Sequence, residues 1–334
     1  MATMKDVARQ AGVSTSTVSR VLNGGFVSTT ATRRVMEAVD ALGYQVSTSA
    51  RSLKAQFTNI IGVTVVDISN PSTIRMLHGI TSVFHQHGMT VMLTNTDGNP
   101  EIELESIAMF TRQRVSGIIY TGSHTREDVA AALNTVPAPV VIGGQEAGSV
   151  HWPVVVFDNY KAGFDITSTL IQLGHREIGY ISAHLEDEHT GRFRRQGYID
   201  ALASAGIHPA RGYIQYADFT VDSGHTAMKR MLAETETMPS AVAAASDMIA
   251  IGALRCLQQR GIEVPGRVSL AGFDDIPVSS KLIPSLSSVA LDVREMGEMC
   301  AELLYRMIRK KNTFVERVVL GHRIVQRESL GPPP

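Results

Sequence analysis

From Ile60 onward the chain repeats one pattern, a short uninterrupted apolar run followed by a stretch of helix length. Ile60 to Val66, Thr90 to Leu93, Gly117 to Tyr120, Val140 to Ile142 and Val154 to Phe157 are continuous rather than alternating, as strands buried on both faces must be. Helix-length stretches near 72–87, 101–114 and 125–134 lie between the first four. The pattern then runs again: strands at Ile178 to Ile181, 213–216, Ala241 to Ala244 and Val268 to Ala271 alternate with helices near 161–173, 192–205, 222–234 and 247–260. Strand–helix alternation builds a parallel sheet covered on both faces, so two arrays of similar size predict two doubly wound lobes facing one another.

At 334 residues, 44% of them hydrophobic, the chain is long enough for more than one core. No apolar run approaches the roughly 18 residues of a membrane span, and Met1 to Asp6 lack the apolar centre of a signal peptide, which points to the cytoplasm. Cys256 and Cys300 sit far apart among helix-forming apolar residues and read as buried reduced thiols, with no disulfide or metal site. The net charge of −1 hides an asymmetry. Residues 1–60 carry seven Lys and Arg against three Asp and Glu, or +4, and the rest carries 24 against 29, or −5. A basic head on an acidic body suits a polyanionic partner for the head alone.

That head reads as three short helices. Thr3 caps the first, with Asp6 in the place of the capping-box acid, and Gly12 ends it. Ser14 caps the second about three residues later, the short glycine-containing joint of a helix-turn-helix. The third starts near Ser28 or Thr29 and stops at Gly43. On a helical period Val18, Val21 and Leu22 share one side of the second helix, while Thr15, Ser16, Ser19, Arg20 and Asn23 share the other. In a helix-turn-helix this face enters the DNA major groove: Thr15, Ser16 and Arg20 stand at base edges, and Ser14, Thr17, Ser19 and Asn23 at phosphates. A three-helix interaction module whose polar face is merely solvated is the alternative.

Residues 45–58 form a boundary. A helix of two turns at most can start near Ser47 or Thr48, and one so short needs a partner. It would set Ala50 and Leu53 beside the cations Arg51 and Lys54, an apolar wedge among phosphate-binding groups. On the residues alone, an ordinary linker with Leu53 resting on the next domain is the favoured reading.

Polar residues at strand C-termini line the cleft of a doubly wound protein. By position these are Asp67, Ser72, Thr73, Asn95, Thr121, Asp158, Thr190, Arg194, Phe219, Asp247 and Asp274. Singly, most of them also make ordinary caps and turn formers; Asp247, for one, follows a strand and can cap the next helix. Together they describe a hydrogen-bonding cleft with an aromatic wall, as a sugar or nucleoside requires. The same fold hosts sugar-binding proteins and sugar-acting enzymes. Yet the chain has no Gly-x-Gly-x-x-Gly after its first strand, no phosphate loop, no Gly-x-Ser-x-Gly and no His-Glu-x-x-His, so neither catalytic residues nor a cofactor are expected.

Several stretches carry a resemblance. Lys5 to Ala8, Ala11 to Ser14, Thr17 to Asn23 and Leu42 to Tyr44, continuing into Ala50 to Leu53, resemble the head of the lactose-repressor (LacI/GalR) family of bacterial transcription regulators. The likeness extends through Asp158-Asn159, Leu173 to Ile178, Arg194 to Tyr198, Ser246-Asp247, Val264-Pro265 and Gly272 to Asp275, nearly the whole chain. It implies an all-α helix-turn-helix head (1–46), a hinge helix (47–58) whose Leu53 kinks the operator from the minor groove, and an α/β core (59–330) like a periplasmic binding protein. The lobes expected within that core are 59–158 plus 288–312 and 159–287 plus 313–330. The resemblance further implies a homodimeric repressor of a sugar-utilisation operon, bound to double-stranded operator DNA and controlled by a small-molecule effector. Arg194 and Asp274 are then at effector-contacting positions, with Thr190, Phe219 and Asp247 nearby; Ser72, Thr73, Asn95 and Asp158 complete the expected site. Two departures stand out. Val46 and Ser47 replace the usual proline and asparagine before the hinge, and Asn70-Pro71-Ser72-Thr73 replaces Asn-Pro-Phe-Phe, which favours a more polar or larger ligand. Arg192, Arg194 and Arg195 are similar to the matching segment of trehalose-type repressors, which bind a sugar phosphate, but helical spacing sends Arg192 and Arg195 to other sides, so Arg194 alone is expected in the cleft.

Overall fold

The structure is a computed structural model describing residues 2–22, 25–44, 58–122, 126–146, 148, 152–184, 188–310 and 316–334. It divides into two compact units, Met1–Thr58 and Asn59–Pro334.

The first unit holds α1 (Met4–Ala11), α2 (Thr15–Leu22) and α3 (Thr29–Leu42). The expected capping box starts α1: the Thr3 hydroxyl accepts from the Asp6 N–H (3.3 Å), and the Asp6 carboxylate accepts from the Thr3 N–H (3.0 Å). Gly12 ends the helix at φ +61° and Gly43 ends α3 at φ +56°, both in the left-handed conformation that glycine adopts without a Cβ clash. Val7, Ala8, Ala11, Val18, Val35, Ala38 and Tyr44 form one small core beneath the three helices.

In chain order the second unit runs β1 (Ile60–Val65), α4 (Pro71–Gln86), β2 (Thr90–Asn95), α5 (Pro100–Arg112), β3 (Gly117–Tyr120), α6 (Glu127–Thr135), β4 (Val140–Gly143) and β5 (Val154–Phe157). It continues with α7 (Asn159–Gln172), β6 (Ile178–Ser182), a π-helical turn (Glu188–Phe193), α8 (Arg194–Ser204), β7 (Ile214–Tyr216), α9 (Val221–Glu234), β8 (Ala241–Ala244), α10 (Asp247–Gln259) and β9 (Ser269–Phe273). Last come β10 (Ser287–Leu291), α11 (Val293–Lys310), β11 (Arg317–Leu320) and β12 (His322–Val325). Two six-stranded sheets result. The first has the order β11-β5-β4-β3-β1-β2 and is parallel throughout. The second has the order β12-β10-β9-β8-β6-β7 and is parallel except for the β10–β12 edge pair. Strands β3, β4, β5, β6, β8 and β9 are buried along their full length, as expected of strands covered on both faces, and so is β10, which the apolar pattern does not mark. No helix among the described residues is long and apolar enough to cross a membrane.

The chain passes between the lobes three times, each time through one residue: Asp158 between β5 and α7, Asp292 between β10 and α11, and Gly321 between β11 and β12. Two expected segment assignments therefore shift. Residues 288–291, placed with the first lobe on sequence, belong to β10, whose partners β9 and β12 are in the second sheet; residues 317–320, placed with the second lobe, form β11 beside β5 in the first. Hydrogen-bonding partners remote in sequence decide these memberships, so local pattern carries no sign of them.

Three helix pairs pack through facing glycines. A Cβ on Gly79 would strike the Arg294 carbonyl, and one on Gly297 the Met76 carbonyl, which joins α4 to α11 backbone to backbone. Gly163 and Gly197 do the same for α7 and α8, and Gly224 and Gly252 for α9 and α10. Because the obstructing atoms are backbone, no rotamer change relieves them. Gly79→Ala and Gly297→Ala should each lower the stability of the second unit by roughly 1–3 kcal/mol in chemical denaturation, whereas Gly321→Ala, with nothing within 4 Å of its added methyl, should change it far less.

Candidate functional site

In the first unit the helix-turn-helix presents α2. The Ser14 hydroxyl accepts from the Thr17 N–H (3.2 Å) and lies 2.7 Å from the Ser16 hydroxyl and 2.9 Å from that of Thr17, so Ser14 and Thr17 order the start of the helix. Val18 is fully buried, Val21 and Leu22 are half-buried, and Thr15, Ser16 and Arg20 are exposed on the other side, with Ser19 half-buried between. Arg34 on α3 donates to the Gly12 carbonyl (3.5 Å), joining the third helix to the turn that sets the angle of α2. The result is a short, polar, singly cationic helix face on a fixed support. Asn23, Ala50, Arg51, Leu53 and Lys54 lie outside the described residues.

The second unit has its densest polar cluster at the ends of β8 and β9. Arg194, the first residue of α8, is 3% exposed. Its Nε donates to Asn159 Oδ1 (2.7 Å), its Nη1 donates to the Ala245 carbonyl (2.5 Å), and its guanidinium lies 4.5 Å over the Phe273 ring. The backbone contact of Arg194 with Gly163 brings α8 close enough to α7 for the Asn159 bond. Arg194 Nη1 stands 3.8 Å from Asp274 Oδ1, an ion pair without a direct hydrogen bond. Burial holds the Asp274 carboxyl above the usual carboxylate range, an effect that Arg194 foremost, then the Ser72 hydroxyl and Arg75, offset only in part. The Ser72 hydroxyl is itself buried and has no partner of good geometry among the described residues. Across the lobes Arg75 Nη1 donates to the carbonyls of Asp274 and Asp275, 3.2 Å each.

Asp247, expected near the ligand, is hydrogen-bonded three times within the protein. Its Oδ2 accepts from the Ile276 N–H (2.9 Å) and the Ser279 hydroxyl (2.6 Å), and its Oδ1 from the Ser288 hydroxyl (2.6 Å). It fastens α10 to the turn after β9 and to β10, and so fixes where Asp274 stands. Burial first and Asp274 second push its carboxyl up to about 7. Asn95 accepts from the Ile68 N–H (2.7 Å) and donates to Asp97 (2.5 Å), shaping the loop after β1. Asp67 accepts from Ser69, Thr121 bonds Thr64, and exposed Asp158 caps α7 through the Lys161 N–H. Thr73 is half-buried in the first turn of α4, Thr190 lies in the π-helical turn before Arg194, and Phe219 packs its half-buried ring on the second lobe's core. Arg192 is exposed and Arg195 reaches the Tyr216 hydroxyl (3.5 Å), so of the three arginines Arg194 alone is buried in the cluster.

Sequence reasoning passed over four residues here. Asn159 and Phe273 sit beside residues already singled out, and a buried arginine's need for a hydrogen-bond acceptor and a flat apolar face was the available signal. Gln145, just beyond β4, is 1% exposed with neither amide group bonded in good geometry among the described residues; its place at a strand C-terminus was the cue. Arg75 had none, being one more cation on a helix.

Comparison with known proteins follows the same two units. Residues 3–47 match the lacI family of bacterial regulatory proteins and residues 167–330 a periplasmic binding protein-like domain. The chain is 33% identical over 328 residues to catabolite control protein A of Priestia megaterium, covering 98% of each. It is similar to the solved lac repressor dimer bound to operator and the anti-inducer ONPF (TM-score 0.88, 26% identity, 98% of both chains). It is also similar to the transcriptional regulator CelR in complex with cellobiose (TM-score 0.75, 30% identity, 98% of this chain and 100% of that one).

The Asp247 carboxyl supplies a pH test. Folding raises its proton affinity, from 3.8 to about 7, so the folded state holds the extra proton and loses stability as pH rises through that interval. Asp247→Asn has no such proton to release. Between pH 5 and 7 the wild type should lose stability relative to Asp247→Asn, with a slope of at most about 1.4 kcal/mol per pH unit in urea titrations; parallel curves would remove the raised carboxyl from the account.

Proposed function

The chain belongs to the LacI family of bacterial regulatory proteins, and from that membership we propose how its two units share one task. It is a DNA-binding transcriptional regulator with a ligand-binding core, and not an enzyme. The head docks α2 in the major groove of double-stranded operator DNA, with Thr15, Ser16 and Arg20 at base edges and Ser14, Thr17, Ser19 and Asn23 at phosphates. The exposure of Thr15, Ser16 and Arg20 opposite buried Val18 supports this placement. Residues 47–58 serve as the hinge, with Leu53 the minor-groove wedge between Arg51 and Lys54, and Ala50 on the same face. Short side chains discriminate modestly, so two heads acting on a near-palindromic site supply the specificity. A homodimer is the working form, and exposed Ile68, Ile74, Val278 and Ile283 offer apolar surface for it. The protein works in the cytoplasm, as a repressor.

The buried Arg194–Asp274 pair carries the ligand half of the reading. A guanidinium and a carboxylate 3.8 Å apart, held by Asn159 and the Ala245 carbonyl and backed by Phe273, match the donors, acceptors and apolar face of a sugar. The Ser72 hydroxyl and the Gln145 amide, buried and without a partner of good geometry among the described residues, are further groups for ligand hydroxyls. With one buried arginine, already faced by Asp274, the site suits an uncharged sugar better than its phosphate. The ligand sets the angle between the lobes, which moves the paired hinges and decides whether they are helical in the minor groove.

A thermal-shift screen of sugars and sugar phosphates finds the ligand. Calorimetry on a matched pair should then give the free sugar an affinity at least equal to that of its phosphate; a phosphate bound more than about tenfold tighter would reverse the charge argument. Asp274→Asn should keep operator affinity within about threefold in anisotropy titrations and abolish the ligand response, while loss of both would point to misfolding. Leu53→Ala should weaken operator binding by roughly 1–3 kcal/mol and lose the bend seen in circularly permuted gel shifts; an unchanged bend removes the wedge.

A further inference from the structure

Asp274 and Asp275 are consecutive non-glycine residues with positive φ, +96° and +50°. Such backbone persists only where its surroundings hold it. Here the two side chains go separate ways. The Asp274 carboxyl meets Arg194, whereas that of Asp275 takes a hydrogen bond from Arg327 (2.6 Å) and its N–H donates to the Ser288 hydroxyl (3.0 Å). Both carbonyls turn instead to one atom of the first lobe, Arg75 Nη1, at 3.2 Å each. A bond between the lobes therefore lies one peptide away from the carboxyl assigned to the ligand.

Two features make this contact more than a fastening. Arg75 follows Ser72 by three residues on α4, so it occupies the same helix face as the buried Ser72 hydroxyl beside Asp274. And α4 is fixed backbone to backbone on α11, the helix that begins immediately after the Asp292 crossover. A cavity of about 290 Å³ beside Arg75 is lined by Asp275, Asp292, Gly321 and His322, which places the contact next to two of the three crossovers. In a rotation about the crossovers, a contact placed there would travel little and the cleft edges far.

We infer that Arg75 is a positioning residue, a strut that ties the Asp274 carboxyl of the ligand site to the α4–α11 body of the first lobe. The strut rests on the reading of Asp274 as a ligand residue only for its regulatory consequence; its mechanical part stands without any ligand. Displacing the Asp274 side chain turns the peptide that Arg75 holds, and the pull reaches α4 rather than dissipating in a loop.

Hydrogen exchange followed by mass spectrometry on the full chain without ligand tests the strut directly, in the wild type, Arg75→Met and Arg75→Lys. Arg75→Met keeps the length and loses every donor; it should speed exchange of the Asp274 to Ile276 amides and the first turns of α4 about tenfold and leave α11 and the melting temperature unchanged. Arg75→Lys, with an ammonium able to reach one carbonyl, should recover part of the protection. Unchanged exchange in Arg75→Met overturns the strut, and so does acceleration spread through α11 with a lowered melting temperature and no rescue by lysine. With a sugar from the screen, Arg75→Met should also shrink the ligand-induced change in operator affinity about threefold or more. Local acceleration in a protein whose operator affinity no ligand changes, wild type included, would leave the strut standing and count against the regulatory reading.

Discussion

The buried Arg194 guanidinium is the constraint on which the arrangement of the second lobe's cleft edge depends. An ion this enclosed is tolerated only when its charge is opposed and its donors are bonded. The fold meets the demand from four directions, with Asn159 at the start of α7, the carbonyl after β8, the Phe273 ring at the end of β9 and the Asp274 carboxylate next to it. The glycine contact between α7 and α8 makes the first of these reachable. Asp247, bonded three times, keeps the turn bearing Asp274 in register with β10. Much of what surrounds Arg194 exists to present one cation and one anion almost, but not quite, in contact.

That near contact explains how a cleft can be both stable and responsive. At 3.8 Å the pair is close enough to offset part of each group's desolvation and too far apart to be hydrogen-bonded, so under the proposed function a ligand hydroxyl placed between them would gain two charge-assisted bonds. The response stays local unless something stiff conveys it. In the proposed mechanism the single-residue crossovers are the places where the lobes turn, and the glycine-packed helix pairs are what keeps each lobe together.

The sequence made the alternation of strands and helices legible because buried parallel strands are continuous apolar runs, and the head was legible because caps and glycine stops leave explicit marks at Thr3, Gly12, Ser28 and Gly43. The second and third lobe crossings were not: β10, β11 and β12 owe their sheet membership to pairing partners such as Val155 for β11 and Phe273 for β10, which local pattern does not mark. The candidate site divides in the same manner. Arg194 and Asp274 were each legible as a residue at a helix start or strand end, and only the family resemblance set them together. Asn95, Thr121 and Asp247 have the same kind of position and are consumed by protein partners, in the case of Asp247 by donors 29 to 41 residues away, which no local spacing reveals. Arg75 acts through two carbonyls, and carbonyls have no sequence signature.

The account joins two units that are separate in structure by a single functional claim, that occupancy of the Arg194–Asp274 site alters operator binding. Fluorescence anisotropy of labelled operator DNA, titrated with the full chain at fixed salt with and without a saturating sugar whose binding calorimetry has established, measures that claim most directly. Operator affinity should change by at least about fivefold. A sugar that binds the protein fully and leaves the operator isotherm unmoved would contradict it.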